Sequence, residues 1–313
     1  MKIEQVIMLN NIRQFSIFEK EGLTTLIQQE NSFSNTVKKV CLDMTSNLNS
    51  IDRIYFGTEF CDNLIPSIGD IKKIKDYCSH HDYGFSLVLP YITEGKLDCV
   101  DQILKDLNDL KEDIEVVCND WGIVYLINQK YTCLKIVLGR LLDKMSKDSR
   151  LSDRDYHQLF DQNSLFYIKN SNLHTKSYQN ILKKNDIKRV ELDCPPQGLC
   201  LSDTEAEEDI SVSVYVPFGF ITTGRMCMMR FLGQSGKEKY SLENECTHQC
   251  QLYNQVMKKM KNCQFDKDGK FMYKNLEFYR KGNTIFYLTE QFEDIIKTNH
   301  EINRIIYQVG IHV

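Results

Sequence analysis

The sequence predicts an α/β fold, a TIM-like (β/α) barrel with peripheral insertions and a C-terminal hairpin. Eight short apolar runs recur along the chain, and helix-patterned segments fill much of the space between them. With 313 residues, 42% of them hydrophobic and 26% charged, the chain can bury one large core. Only five Pro and 15 Gly argue against a linker-rich or fibrous protein. The reading is therefore one elaborated barrel over residues 1–313.

The eight runs are 3-IEQVIM-8, 53-RIYFG-57, 84-GFSLVLP-90, 114-IEVVC-118, 134-LKIVL-138, 188-KRVEL-192, 210-ISVSVYV-216 and 305-IIYQV-309. Most are apolar on successive residues, as expected of strands covered on both faces. Between them, 64–78 becomes helix-like after Gly69. In 95–110, Leu97, Val100, Ile103, Leu104 and Leu107 fall on one helical face. Residues 143–172, with the charged stretch KMSKDSRLSDRDYHQ, read as a loop or small helical excursion. Near the other end, 276-LEFYRKGNTIFYL-288 reads as a hairpin turning at Gly282.

A formal charge of −4 provides no general field for nucleic acid. The start of the chain has no leader pattern, and no apolar run approaches the roughly 18 residues of a membrane span. The expectation is a cytoplasmic protein without stable transmembrane insertion. In that compartment the 12 cysteines point to thiolate chemistry or buried thiols rather than to a disulfide framework.

The strongest local pattern is 224-GRMCMMRF-231 followed by 245-ECTHQC-250. Cys227, Cys246 and Cys250 would need a fourth sulfur to complete a tetrahedral zinc or iron-sulfur site. Cys61 is the leading candidate, because it lies just beyond the 53–57 strand, where barrel enzymes gather functional groups. Cys194 and Cys200, beyond another strand, are substitutes. Residues 251–260 read as a helix with Leu252, Val256 and Met260 on one face. Arg225, Arg230, Lys237 and Lys239 could offset the ligands' charge, and His248 could hydrogen-bond a cluster or face solvent.

The words 53-RIYFGTEFC-61, 115-EVVCNDWG-122, 137-VLGRLLDKM-145, 189-RVELD-193 and 217-PFGFITTGRMC-227, extended by Cys246 and Cys250, resemble the peptidase U32 family. This family bears the historical description of collagenase-like proteases, and the chain is most similar to its UbiV/UbiU-type iron-sulfur branch. The resemblance implies a [4Fe-4S] cluster on Cys61, Cys227, Cys246 and Cys250, within an iron-sulfur ligand region spanning 217–263. It also implies oxygen-independent hydroxylation of a small-molecule or macromolecular precursor, RNA included. Prephenate is the implied oxygen donor, and a related U32-family subunit the implied partner.

Five further residues are candidates for handling substrate. Asn119 and Asp120 follow a strand and could bond a substrate or move a proton; their other reading is a helix cap. Arg140, at a strand end, could grip a carboxylate or hold a neighbouring acid. Glu191 and Asp193 alternate onto one barrel surface and could bind a polar group or pair with Arg140. Trp121 reads as packing. Two other functions remain in view: a U32-type peptidase, although HExxH and GxSxG are absent, and a noncatalytic electron-transfer or accessory subunit.

Overall fold

The computed structural model describes residues 2–30, 34–46, 48, 50–152, 157–201, 210–233, 246–257, 278–289 and 292–311. Eight parallel strands close a barrel: β1 (Glu4–Leu9), β2 (Arg53–Gly57), β3 (Gly84–Leu89), β4 (Ile114–Cys118), β5 (Leu134–Leu138), β6 (Arg189–Asp193), β7 (Ser211–Val216) and β12 (Ile302–Gln308). Each falls on one of the eight apolar runs. Neighbours follow chain order from β1 to β7, and β12 closes the ring between β7 and β1. A four-stranded antiparallel sheet, β8 (Phe218–Thr223), β9 (Gln255–Met257), β10 (Phe278–Lys281) and β11 (Thr284–Leu288), is inserted before the closing strand in the order β8-β11-β10-β9.

The continuous apolar runs arise because each stave is covered on both faces. Val6, Met8, Tyr55, Val88, Val117, Val137, Tyr215 and Ile306 meet inside the barrel. Their chain neighbours, such as Ile7, Leu9, Ile54 and Phe56, join the larger core outside. That outer layer includes helices α1 (Ile12–Gln29), α2 (Asn35–Thr45), α3 (Ile68–His80), α4 (Leu97–Asn108) and α5 (Trp121–Lys130). In α4, Val100, Ile103, Leu104 and Leu107 are buried as the pattern requires, whereas Leu97 in the first turn is exposed. Ser67 caps α3 by accepting from the Asp70 amide at 3.1 Å, and the buried Lys75 of that helix reaches Glu112 at 2.7 Å.

The 143–172 excursion contains a short 3-10 turn at Ser149–Ser152 and helix α6 (Gln162–Lys169); α7 (Lys176–Lys184) leads into β6. The C-terminal hairpin forms as β10 and β11, with Lys281 opposite Thr284 and Gly282 at φ 60°, the sign that the first position of a type II′ turn requires. Helix α8 (Phe292–Thr298) precedes β12.

Of the helix expected over 251–260, the described residues 251–257 form none. Gln249–Gln251 is a 3-10 turn, and Gln255–Met257 pairs antiparallel with β10. The open edge of β10 offers backbone partners that outweigh a local helical pattern. Val256 and Leu252 are accordingly exposed, and Met260 lies outside the described residues. No described helix is long and apolar enough to cross a membrane.

Four charged side chains close the N-terminal end of the barrel. Arg304 donates to Glu4 at 2.6 Å and to Glu115 at 2.7 and 3.0 Å, while Arg53 donates to the other oxygen of Glu4 at 2.7 Å. Each carboxylate thereby faces a guanidinium, the arrangement that makes a buried charge tolerable.

Gly57 ends β2 with φ 137°, where a Cβ would stand 2.1 Å from the Val88 carbonyl oxygen. Gly57→Ala should therefore destabilise the fold by about 2–4 kcal/mol. Thermal melts measure this, and an unchanged Tm would contradict the strand geometry.

Candidate functional site

Cys61 follows the exit of β2 and precedes a 3-10 turn at Asp62–Leu64. Cys227 follows β8 and opens the turn Met228–Phe231, which packs against the turn Gln249–Gln251 containing Cys250. Cys246 lies four residues earlier in the chain. The loops that carry Cys61 and Cys227 share one donor, the Asn283 amide in the β10–β11 turn. Its nitrogen lies 2.6 Å from the Phe60 carbonyl, 2.7 Å from the Gly224 carbonyl and 2.9 Å from the Tyr91 hydroxyl. Tyr91 in turn donates to the Gly224 carbonyl at 3.1 Å.

Three of the thiols, Cys61, Cys227 and Cys250, are raised by burial and by neighbouring cysteines. Burial pushes Cys61 up to about 12, with further upward contributions from Cys250, Asp62 and Cys227. Cys250 rises to about 11 through burial, then through Cys227 and Cys246. Cys227 is raised by burial and by Cys246, against amide hydrogen bonds from Arg230 and Met229. Removing protons from Cys61, Cys227 and Cys250 together is unfavourable unless a cationic centre joins them. The donor set fits a four-thiolate cluster in its chemistry. No three His, Cys, Asp or Glu among the described residues form a group able to hold a metal ion, so the thiols are neighbours through charge rather than through a ready-made ligand contact.

The other sulfur candidates have different surroundings. Cys194 is fully buried beyond β6 and senses Asp193 and Arg140, while Cys200 is exposed. His248 is exposed, with φ 54°. Arg225 is exposed, and Arg230 is half-buried in the Cys227 turn. Lys237, Lys239 and the parts of the 217–263 region at 234–245 and 258–263 lie outside the described residues.

The C-terminal mouth of the barrel is filled by a second constellation. Arg140 is 2% exposed and grips Glu59 with two bonds, of 2.8 and 2.7 Å. It also donates to Asp193 at 2.6 Å and to the Phe218 carbonyl at 2.8 Å. The other oxygen of Asp193 pairs with Lys147. The Arg140 guanidinium lies 3.9 Å from the Tyr215 ring centroid, and the Lys147 ammonium 3.3 Å from that of Phe220. Burial works against the Arg140 charge, but Glu59 and Asp193 hold its pKa above the ordinary value. Burial also drives Glu59 upward, against the pull of Arg140. The paired, parallel hydrogen bonds are those of an ion pair, and we assign both groups as charged. Two cations and two carboxylates then form a neutral buried set.

Glu191 lies deeper and does not join Arg140. One of its oxygens accepts from the Tyr215 hydroxyl at 2.6 Å, and the other has no hydrogen-bond partner. Burial pushes this carboxyl up to about 7. Asn119 bridges backbones, donating to the Leu89 carbonyl at 3.0 Å and accepting from the Leu141 amide at 3.2 Å. Asp120 caps α5 by accepting from the Gly122 amide at 2.6 Å, and its second oxygen accepts from the Ile92 amide at 3.1 Å. Trp121 is half-exposed in the first turn of that helix.

Sequence reasoning missed Glu59, Lys147, Asn283 and Tyr215. The signal for Glu59 was present: a single acid between an apolar strand and a cysteine in GTEFC. Lys147 was hidden in a charged stretch that reads as solvated. No protein-family model matches the chain, and no curated protein matches it.

Arg140→Met leaves Glu59 and Asp193 without their guanidinium and should destabilise the protein by about 3–5 kcal/mol in denaturant titrations. A loss under about 1 kcal/mol would show that the cluster is not an ion-pair set. Glu191 gives a pH signature. Its folded pKa lies above the unfolded one, so the fold loses stability as pH rises from about 4.5 to about 7. Glu191→Gln should match the wild type near pH 4 and exceed it at pH 8, by up to about 3 kcal/mol. Parallel pH profiles would refute this assignment.

Proposed function

We propose that this protein holds a [4Fe-4S] cluster through Cys61, Cys227, Cys246 and Cys250 and takes part in oxygen-independent hydroxylation of a biosynthetic precursor. One observation carries the reading: loops far apart in sequence bring Cys61 within electrostatic range of Cys227 and Cys250, and Cys246 within range of those two, on the face where barrel enzymes work. The Asn283 clasp supports it by tying the Cys61 loop to the Cys227 loop. The described cysteines are all free, in keeping with a reducing, cytoplasmic setting. The family motifs quoted above supply the reaction class, the prephenate-like oxygen donor and the related partner subunit.

When bound, the cluster would supply one-electron chemistry tuned by burial and by hydrogen bonds to sulfur. The chain's own residues have separable tasks. Asn283 and Tyr91 position the loops, and the Tyr91 hydroxyl, pushed up to about 12 chiefly by burial and next by Cys61, keeps its proton as a donor. Asp120 and Asn119 fix the loops after β3, β4 and β5. Arg140, engaged by Glu59 and Asp193, holds the mouth closed rather than offering a free guanidinium to a substrate carboxylate.

A noncatalytic electron-transfer or accessory role is the second reading, favoured by that filled mouth. Side chains of the barrel and the inserted sheet occupy the axis where a barrel enzyme places its substrate. Turnover of a candidate precursor by the cluster-loaded chain alone, compared with turnover beside a related subunit, separates the two.

The cofactor is tested by iron and acid-labile sulfide analysis of anaerobically purified protein. Wild type should contain about four of each per chain, and Cys61→Ser, Cys227→Ser, Cys246→Ser and Cys250→Ser should each retain less than about half. Full iron and sulfide in all four variants would defeat the ligand assignment.

A further inference from the structure

Residues 281–283, where β10 turns into β11, address the loops of Cys61, Cys227 and Cys250 together. Asn283 binds the first two, through the Phe60 carbonyl at 2.6 Å and the Gly224 carbonyl at 2.7 Å. Lys281 meets the third. It ends β10 opposite Thr284 and borders a cavity of about 90 Å³ whose wall also includes Cys250, Gln251 and Leu252. Glu30, the residue that ends α1, borders the same cavity.

Lys281 is only 6% exposed, and an ammonium withdrawn from bulk water is unfavourable unless negative charge lies near it. Two neighbours on the cavity wall supply that charge. Burial works against the Lys281 cation, while Glu30 and then Cys250 work in its favour. The influence is mutual: burial, Cys227 and Cys246 raise Cys250, and Lys281 pulls it down. The cavity is several times the roughly 10–15 Å³ that one water needs, so the ammonium has room to be hydrated. A cation held in a hairpin is thus placed beside the Cys250 thiol, with a carboxylate as its second neighbour.

A cluster held by four thiolates has a net negative charge, and reduction adds to it. A buried cation near one ligand therefore favours the reduced form, and in a poorly solvated site its field is weakly screened. We infer that Lys281 is a positioning residue that raises the reduction potential of the cluster through its charge near Cys250, and that Glu30 opposes it from the same cavity. The inference rests on the cluster reading and assigns the residues that tune that site.

A potentiometric titration of the full-length, anaerobically purified protein, followed by electron paramagnetic resonance, tests it. Lys281→Met keeps the length of the side chain and removes its charge. It should shift the ratio of reduced to oxidised cluster at least about tenfold toward oxidised at a given poise, a fall of about 59 mV or more for one electron. Lys281→Arg should restore most of the wild-type potential, and Glu30→Gln should shift the ratio several-fold toward reduced. A Lys281→Met potential equal to that of wild type, or a Lys281→Arg potential as low as that of Lys281→Met, would overturn the inference, as would a wild-type cluster that takes up no electron at any accessible potential. Should Lys281→Met not retain its cluster, Glu30→Gln decides, and an unchanged or lowered potential there overturns it. Wild type without iron and sulfide would defeat the cluster reading itself and this inference with it, whereas iron-loaded wild type with potentials unmoved by these variants defeats only the role of Lys281.

Discussion

A guanidinium buried in the axis of a barrel must be neutralised on the spot, and much of the C-terminal face is arranged to do that for Arg140. Its partners come from separate parts of the chain: Glu59 from the loop after β2, Asp193 from the end of β6, and the Phe218 carbonyl from the start of β8. Lys147, from the 143–172 excursion, balances the remaining Asp193 oxygen. Segments with no sequence proximity are thus fixed to one point, because moving any of them away would leave a charge unpaired in a dry interior. Phe60, Phe220 and Phe286 pack edge to face or tilted around that point and exclude water from it.

This constraint also determines where chemistry can occur. Ion-pair sets close both ends of the barrel, Arg304 and Arg53 with Glu4 and Glu115 below, and Arg140 and Lys147 with Glu59 and Asp193 above. The apolar layer between them contains one carboxyl with an unpartnered oxygen, Glu191. The thiol-bearing loops of Cys61 and Cys227 are instead held beside the inserted sheet by the Asn283 amide of the β10–β11 turn. Glu59 and Cys61 flank Phe60 in sequence, so the anchor and the sulfur belong to one three-residue segment. The fit of the mouth and the position of the thiol are mechanically joined.

The staves were legible because burial on both faces makes each run apolar whatever its neighbours do. The helices α3 and α4 were legible from their 3.6-residue period. What failed was local inference at the inserted sheet. The pattern of 251–260 is helical in spacing, yet pairing with β10 draws 255–257 into a strand, a long-range effect with no local trace. The placement of Arg140 at a strand end was legible, and so was its pairing with an acid as one of two alternatives. The identity of Glu59 as its bidentate partner was not, because that contact joins residues 81 positions apart. Asn119 and Asp120 show a different limit: polar residues after a strand serve a cap or a reactant equally well on paper, and only the amides of Gly122, Ile92 and Leu141 distinguish the roles.

The closing strand adds a consequence for biosynthesis. β12 is the last stave to leave the ribosome, after the entire inserted sheet, and it alone joins β1 to β7. Until it arrives, a nascent chain exposes two long parallel edges while its thiol-bearing loops are already complete. A chaperone that shields strand edges would protect the barrel from self-association until β12 is in place.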